Sequence, residues 1–172
     1  MRASTATPLL GRLWPTFANS YVLKALTVIA GSLLLWASAK VSVPFWPVPM
    51  TMQVFAVLLL GLGLGAPLAV AAVALYLAQG AMGLPVFQGT PEKGLGLVYM
   101  AGPTGGFLAG FLAAALVTGL AADRGLARGP IGATLAGLAG VGVLYALGLA
   151  WLGMLLGWDK PILAWGFWPF IL

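Results

Sequence analysis

Charge is what this chain almost lacks. Its 172 residues include eight Lys and Arg and three Asp and Glu, whereas a soluble chain of that length carries roughly 43 charged residues at the usual frequency of about 25%. So few charges cannot supply the polar shell that a water-facing core requires, so most of the surface must face lipid. Hydrophobic residues make up 62% of the chain. A helix needs about 20 apolar residues to cross a hydrocarbon core of about 30 Å, so the length accommodates roughly five or six spans. The expected fold class is all-α, a polytopic membrane helix bundle of about six transmembrane helices. Residues 1–19 form a short N-terminal segment and residues 20–172 a single transmembrane domain.

The residue types that are missing narrow the chemistry. With no His and no Cys, the chain has no imidazole base, thiolate nucleophile, disulfide or His/Cys metal site. Its carboxylates are Glu92, Asp123 and Asp159, too far apart in sequence to form a local acid–base pair or a metal cage. Neither an enzyme nor a metal- or cofactor-dependent protein is expected. The net charge of +5 is spread along the chain and forms no cluster able to track phosphates, which argues against nucleic-acid binding. No Walker A loop occurs, so any ATP dependence must come from a partner. Proton-coupled pumping is disfavoured by the absence of Asp, Glu or His within the spans.

Hydropathy and helix breakers divide the chain. Span one runs from about Ser20 to Ala39, with Lys24 and Lys40 read as interfacial edge markers. Residues 41–50 (VSVPFWPVPM) contain three prolines with Phe45 and Trp46 and read as an extended interfacial loop. Span two starts near Thr51 or Gln53 and ends at the glycines before Pro67; span three covers about Leu68 to Met82. Residues 83–100 are rich in Gly and Pro and read as a long loop folding back over the bundle, the first place to look for function. Span four opens at Gly102 and reaches about Ala122. Span five extends from about Pro130 to Trp158, long enough to tilt or break near its glycines. The last apolar piece, Pro161 to Leu172, rises only about 18 Å as a helix and reads as a partial or truncated final span.

Alternation of sides places Arg2, Arg12, Arg124 and Arg128 on one face and Lys40, Lys93 and Lys160 on the other. The arginine face is expected to be cytoplasmic, with the N-terminus inside and the protein in a bacterial plasma (inner) membrane. Residues 41–50, 83–101 and 158–161 then all face outward, which suits a site that receives solute from outside.

Several features have competing readings. Small residues recur every fourth position in span four, at Gly102, Gly106, Gly110, Ala114, Thr118 and Ala122, a stripe suited to packing within the bundle or to docking another protein. The run Gly102-Pro103-Thr104-Gly105-Gly106 reads either as a helix start with packing glycines or as an N–H nest for an oxygen ligand. Gln53 and Gln79 are polar groups in or near helices. Phe87, Tyr99 and Trp46 are interfacial anchors or ring-stacking ligand contacts.

Three segments in order, Pro47 to Gln53 (PVPMTMQ), Gly83 to Phe87 (GLPVF) and Gly102 to Leu108 (GPTGGFL), resemble the BioY family, the biotin-specific substrate-binding (S) components of energy-coupling factor (ECF) transporters. The resemblance covers the chain from about residue 20 onward. It implies a six-helix bundle that takes biotin from outside beneath the loop between spans three and four. Uptake is then driven by a transmembrane scaffold subunit and cytoplasmic ATPases. Carried onto this sequence, it implicates Gln88, Tyr99, Gly102, Pro103, Thr104, Gly105 and Gly106, with Gln53 beside them. In the family a last helix bears an Asp and, three residues on, a Lys that contact biotin, and this sequence stops before that pair. Many S components dock their scaffold through Ala-x-x-x-Ala in span one; here Thr27 and Gly31 are the nearest approximation. The alternatives are an S component for another vitamin and a non-catalytic membrane scaffold organising partners through small-residue stripes.

Overall fold

The computed structural model describes residues 20–43 and 48–166. Helix α1 (Tyr21–Lys40) is followed by two short strands, β1 (Ser42–Val43) and β2 (Met50–Thr51). These pair antiparallel with Ser42 opposite Thr51. Helices α2 (Gln53–Leu64), α3 (Ala66–Ala81), α4 (Gly96–Met100), α5 (Gly105–Asp123), α6 (Gly129–Leu156) and α7 (Ile162–Gly166) complete the described chain. Phe45, Trp46, the N-terminal arginines and the end of the final apolar piece lie outside the described residues.

The helices start and stop where local chemistry directs. The Ser20 side chain accepts a hydrogen bond from the Leu23 backbone N–H at 3.2 Å and caps α1, as serine does at helix starts. Pro67 and Pro130 sit in the first turns of α3 and α6, where the missing N–H has no partner to lose. Gly65 alone separates α2 from α3, with φ +79°, a conformation that lets the chain reverse without a side-chain clash. The Asp123 carboxylate at the end of α5 accepts from the Ala66 N–H at 3.0 Å. It thereby caps α3 from another helix and places a negative charge at its positive end.

Helices α1, α5 and α6 are long and apolar enough to cross a membrane. The spans expected from residues 51 to 67 and 68 to 82 are shorter as helices, with 12 residues in α2 and 16 in α3. They rise about 18 and 24 Å at 1.5 Å per residue, less than a hydrocarbon core of about 30 Å. Non-helical backbone at membrane depth is tolerated where it is covered by protein or lines a cavity. The chain leading into α2 meets that condition, with Val48, Pro49 and Thr51 lining a cavity. Span five, long enough to tilt or break near its glycines, is unbroken: α6 runs continuously over 28 residues. The loop expected from 83 to 100 contains a helical turn of its own, α4.

Helix α5 is the centre of the bundle and packs on α2, α3 and α6, while α1 packs on α3. Its small-residue stripe is spent inside: Gly106, Gly110, Ala114 and Thr118 are buried. A Cβ on Gly110 would lie 3.1 Å from Leu144 Cα, and one on Gly140 would lie 2.7 Å from Thr118 Cγ2. Gly31 likewise faces inward, where a Cβ would come within 2.8 Å of Ala72 Cβ. The middle of the stripe therefore brings α5 and α6 into close backbone contact, while its ends, Gly102 and Ala122, are half-buried. Leu35, Val57, Val73, Tyr76, Leu144 and Leu152 fill the interior. Leu26, Ile29, Ile131, Leu135 and Leu138 point outward on α1 and α6, the apolar exterior that a lipid solvent demands.

Candidate ligand-binding site

One end of the bundle gathers the β1–β2 hairpin, residues 82–104 and the loop after α6. Residues 85–88 form an irregular strap of turns across it, held by side chains that reach its carbonyls one after another. Lys40 Nζ donates to Pro85 O at 3.0 Å and to Phe87 O at 3.2 Å. Tyr76 Oη donates to Val86 O at 3.2 Å, Thr90 Oγ1 to Phe87 O at 2.7 Å, and Tyr99 Oη to Gln88 O at 2.8 Å. A segment with no helical or sheet partner thus has its acceptors satisfied by α1, α3, α4 and the loop itself. Lys40 is therefore more than the edge marker its position suggests, because it ties the end of α1 to the strap.

The strap places Phe87 and Gln88. The Phe87 ring meets Tyr76 edge-on, with centroids 5.5 Å apart and planes at 83°, and stacks on Tyr99 at 4.9 Å and 19°. These are the two arrangements that ring quadrupoles favour. Room for the ring comes from Gly80, where a Cβ would approach Phe87 Cε1 to 2.6 Å. Gln88 Nε2 donates to Ser42 Oγ at 3.3 Å, and its Oε1 accepts from Lys93 Nζ at 3.0 Å. Burial pushes the Tyr99 phenol above its ordinary pKa, partly offset by the Thr104 hydroxyl, so the hydroxyl stays a donor.

Beneath the strap lies a narrow cavity of about 40 Å³, open at its mouth. Thr51, Gln53, Gln88, Tyr99 and Thr104 contribute its polar groups; Phe87, Phe107, Phe111 and Leu144 supply apolar wall. A second cavity of about 90 Å³ shares Pro49, Tyr99 and Thr104 with it and adds Lys93, Gly102 and Pro103. Together they offer amide and hydroxyl groups within apolar walls and an ammonium at the rim. That suits a small molecule with an apolar body, a hydrogen-bonding head and a negative charge. Among the described residues no three His, Cys, Asp or Glu come together as a metal site would require.

Of the residues singled out in the sequence, Gln53, Gln88, Tyr99 and Thr104 meet around the main cavity, and Gly102 and Pro103 line the adjoining one. Gly105 and Gly106 line neither, and take part in packing instead. A Cβ on Gly105 would meet Met100 O, and one on Gly106 would come within 2.8 Å of Leu147 O. The Gly102 carbonyl accepts from Trp151 Nε1 at 2.9 Å, which pins the α5 entry to α6. Gln79 lies away from the cavity in an apolar groove with Leu33 and Trp36. Sequence reasoning missed Tyr76, Lys40, Gly80 and Trp151. Tyr76 and Trp151 resemble core aromatics, and each donates to a backbone carbonyl, which carries no sequence signature.

A helical membrane bundle whose amide- and hydroxyl-lined cavity is roofed by a tethered strap is the architecture of a membrane protein that holds a small molecule. The BioY family model matches residues 12–172, and the chain belongs to that family. It is 41% identical over 138 residues to the biotin transporter BioY of Thermotoga maritima, covering 80% of this chain and 79% of that one. It is 39% identical over 133 residues to the probable biotin transporter BioY of Pyrococcus horikoshii, covering 77% and 75%. In fold it is similar to the crystallised S-component for biotin from an ECF-type ABC transporter. There the TM-score is 0.71 at 23% identity, over 84% of this chain and 78% of that one.

Proposed function

We propose that this protein captures biotin at the outer face of a bacterial plasma membrane and serves as the S component of an ECF transporter. A transmembrane scaffold subunit and cytoplasmic ATPases supply the energy. The observation that carries this reading is the convergence of Gln53, Gln88, Tyr99 and Thr104 on one cavity roofed by the strap. Biotin has an apolar bicyclic ring and chain, a ureido group that needs donors and acceptors, and a carboxylate. The apolar walls suit the ring and chain, the amides and hydroxyls suit the ureido group, and Lys93 at the rim is the cation for the carboxylate. Capture involves no covalent step, so the protein acts as a binding subunit rather than an enzyme. The N-terminus is cytoplasmic in this arrangement, which leaves the strap facing outward.

The test is titration of the full chain in detergent with biotin, followed by tryptophan fluorescence, with thiamine and riboflavin as competitors. Saturable binding of one biotin per chain is expected, undisturbed by the other vitamins, and Gln88→Ala should weaken it by about tenfold or more, as loss of a buried polar contact does. Binding of thiamine or riboflavin in place of biotin would reassign the vitamin. A chain that binds none of them would favour a scaffold role.

A further inference from the structure

The hydrogen bonds around Gln53 run in one direction only. Val86 O is a carbonyl and can only accept, so the single proton of the Tyr76 hydroxyl points to it across 3.2 Å. The Tyr76 oxygen must then accept from Gln53, and the group 2.7 Å away is the amide nitrogen Nε2. Gln53 Oε1 is thereby turned to the opposite side, 3.3 Å from Thr51 Oγ1. The Thr51 hydroxyl accepts from the Gln53 backbone N–H at 3.3 Å, which leaves its own proton for Oε1. Thr51 and Gln53 line the cavity, whereas Tyr76 is fully buried behind it.

We propose that Tyr76 is a positioning residue that sets the polarity of this part of the site: it holds the Gln53 carboxamide with its carbonyl oxygen on the cavity side, and so selects a ligand that presents a ring N–H there. The donor is a ureido N–H, so the assignment rests on the biotin reading above. An amide without such a tether turns over easily and accepts donors and acceptors alike. Once tethered, it discriminates, because a ligand acceptor placed against Oε1 leaves two lone pairs facing each other in a low-dielectric pocket.

The test compares biotin with its two cyclic carbamate isosteres, each with a ring oxygen in place of one ureido N–H, on the full-length protein. Wild type should prefer biotin over one of the isosteres by at least about tenfold. Tyr76→Phe should narrow that preference to within about threefold, chiefly by raising affinity for the isostere, because the freed amide can present its nitrogen. Gln53→Met, which removes the directed carbonyl and its tether together, should likewise narrow the preference to within about threefold. A Tyr76→Phe or Gln53→Met variant that retains full discrimination would overturn the assignment. If Tyr76→Phe does not fold, Gln53→Met decides by the same criterion. Wild type that binds no biotin would overturn the biotin reading and this assignment with it.

Discussion

At Gly80 a missing side chain makes room for the ring of Phe87, and through that ring for the stack with Tyr99. Gly80→Ala puts a methyl group where the ring edge now lies, so the ring must leave its place between Tyr76 and Tyr99. Overpacking of this kind costs about 1–3 kcal/mol, and here it falls on the roof of the cavity. Ligand affinity should drop about tenfold and the thermal midpoint of the ligand-free protein should fall by roughly 2–8 °C, as measured by titration and differential scanning fluorimetry. Residues of this kind were only half legible in the sequence. Phe87 and Tyr99 stand out as aromatics beside a glycine-rich loop, whereas Gly80 looks like any of the 25 glycines until its neighbour is known.

Among the elements, the strap of residues 85–88 has the least regular structure, and Lys40 joins it to α1. Its ammonium holds two strap carbonyls, Pro85 O and Phe87 O, and hydrogen bonds to charged groups contribute about 1.5–3 kcal/mol where they are shielded. Lys40 is exposed, so the low end applies. Lys40→Met should speed ligand dissociation roughly three- to tenfold with a smaller effect on association, and Lys40→Arg should restore part of the loss; stopped-flow fluorescence measures both. Equal dissociation rates in wild type and Lys40→Met would show that the strap does not depend on this tether. The extended loop at residues 83–100 was foreseeable from its Gly and Pro content, whereas its anchors were not. A lysine at the end of an apolar helix is a common interfacial feature, and its partners here lie 45 and 47 positions away.

For the molecule as a whole, the glycines divide into those that bring helices together and those that face lipid. Gly119 belongs to the first group: a Cβ there would run into the backbone of Ala66 and lie 2.8 Å from the Gly65 carbonyl carbon. Gly142 belongs to the second, with nothing within 4 Å. Gly119→Val should lower the unfolding midpoint by roughly 5–10 °C or abolish folding. Gly142→Ala should leave it unchanged or raise it slightly, since alanine favours a helix by about 1 kcal/mol over glycine. Thermal unfolding in detergent measures both, and equal effects would mean that these glycines do not set the helix spacing. The sequence by itself determined the membrane class, the approximate number of helices and the loops that meet at one end. Those follow from charge scarcity, apolar run length and helix breakers, all of which act locally along the chain. Only the tertiary structure decided that the small-residue stripe of α5 packs inward, that Asp123 caps α3, and that Tyr76 and Lys40 hold the strap over the cavity. Each of these depends on distant backbone atoms, and because nearly every residue carries the same N–H and C=O groups, nothing in the sequence marks which of them will be met.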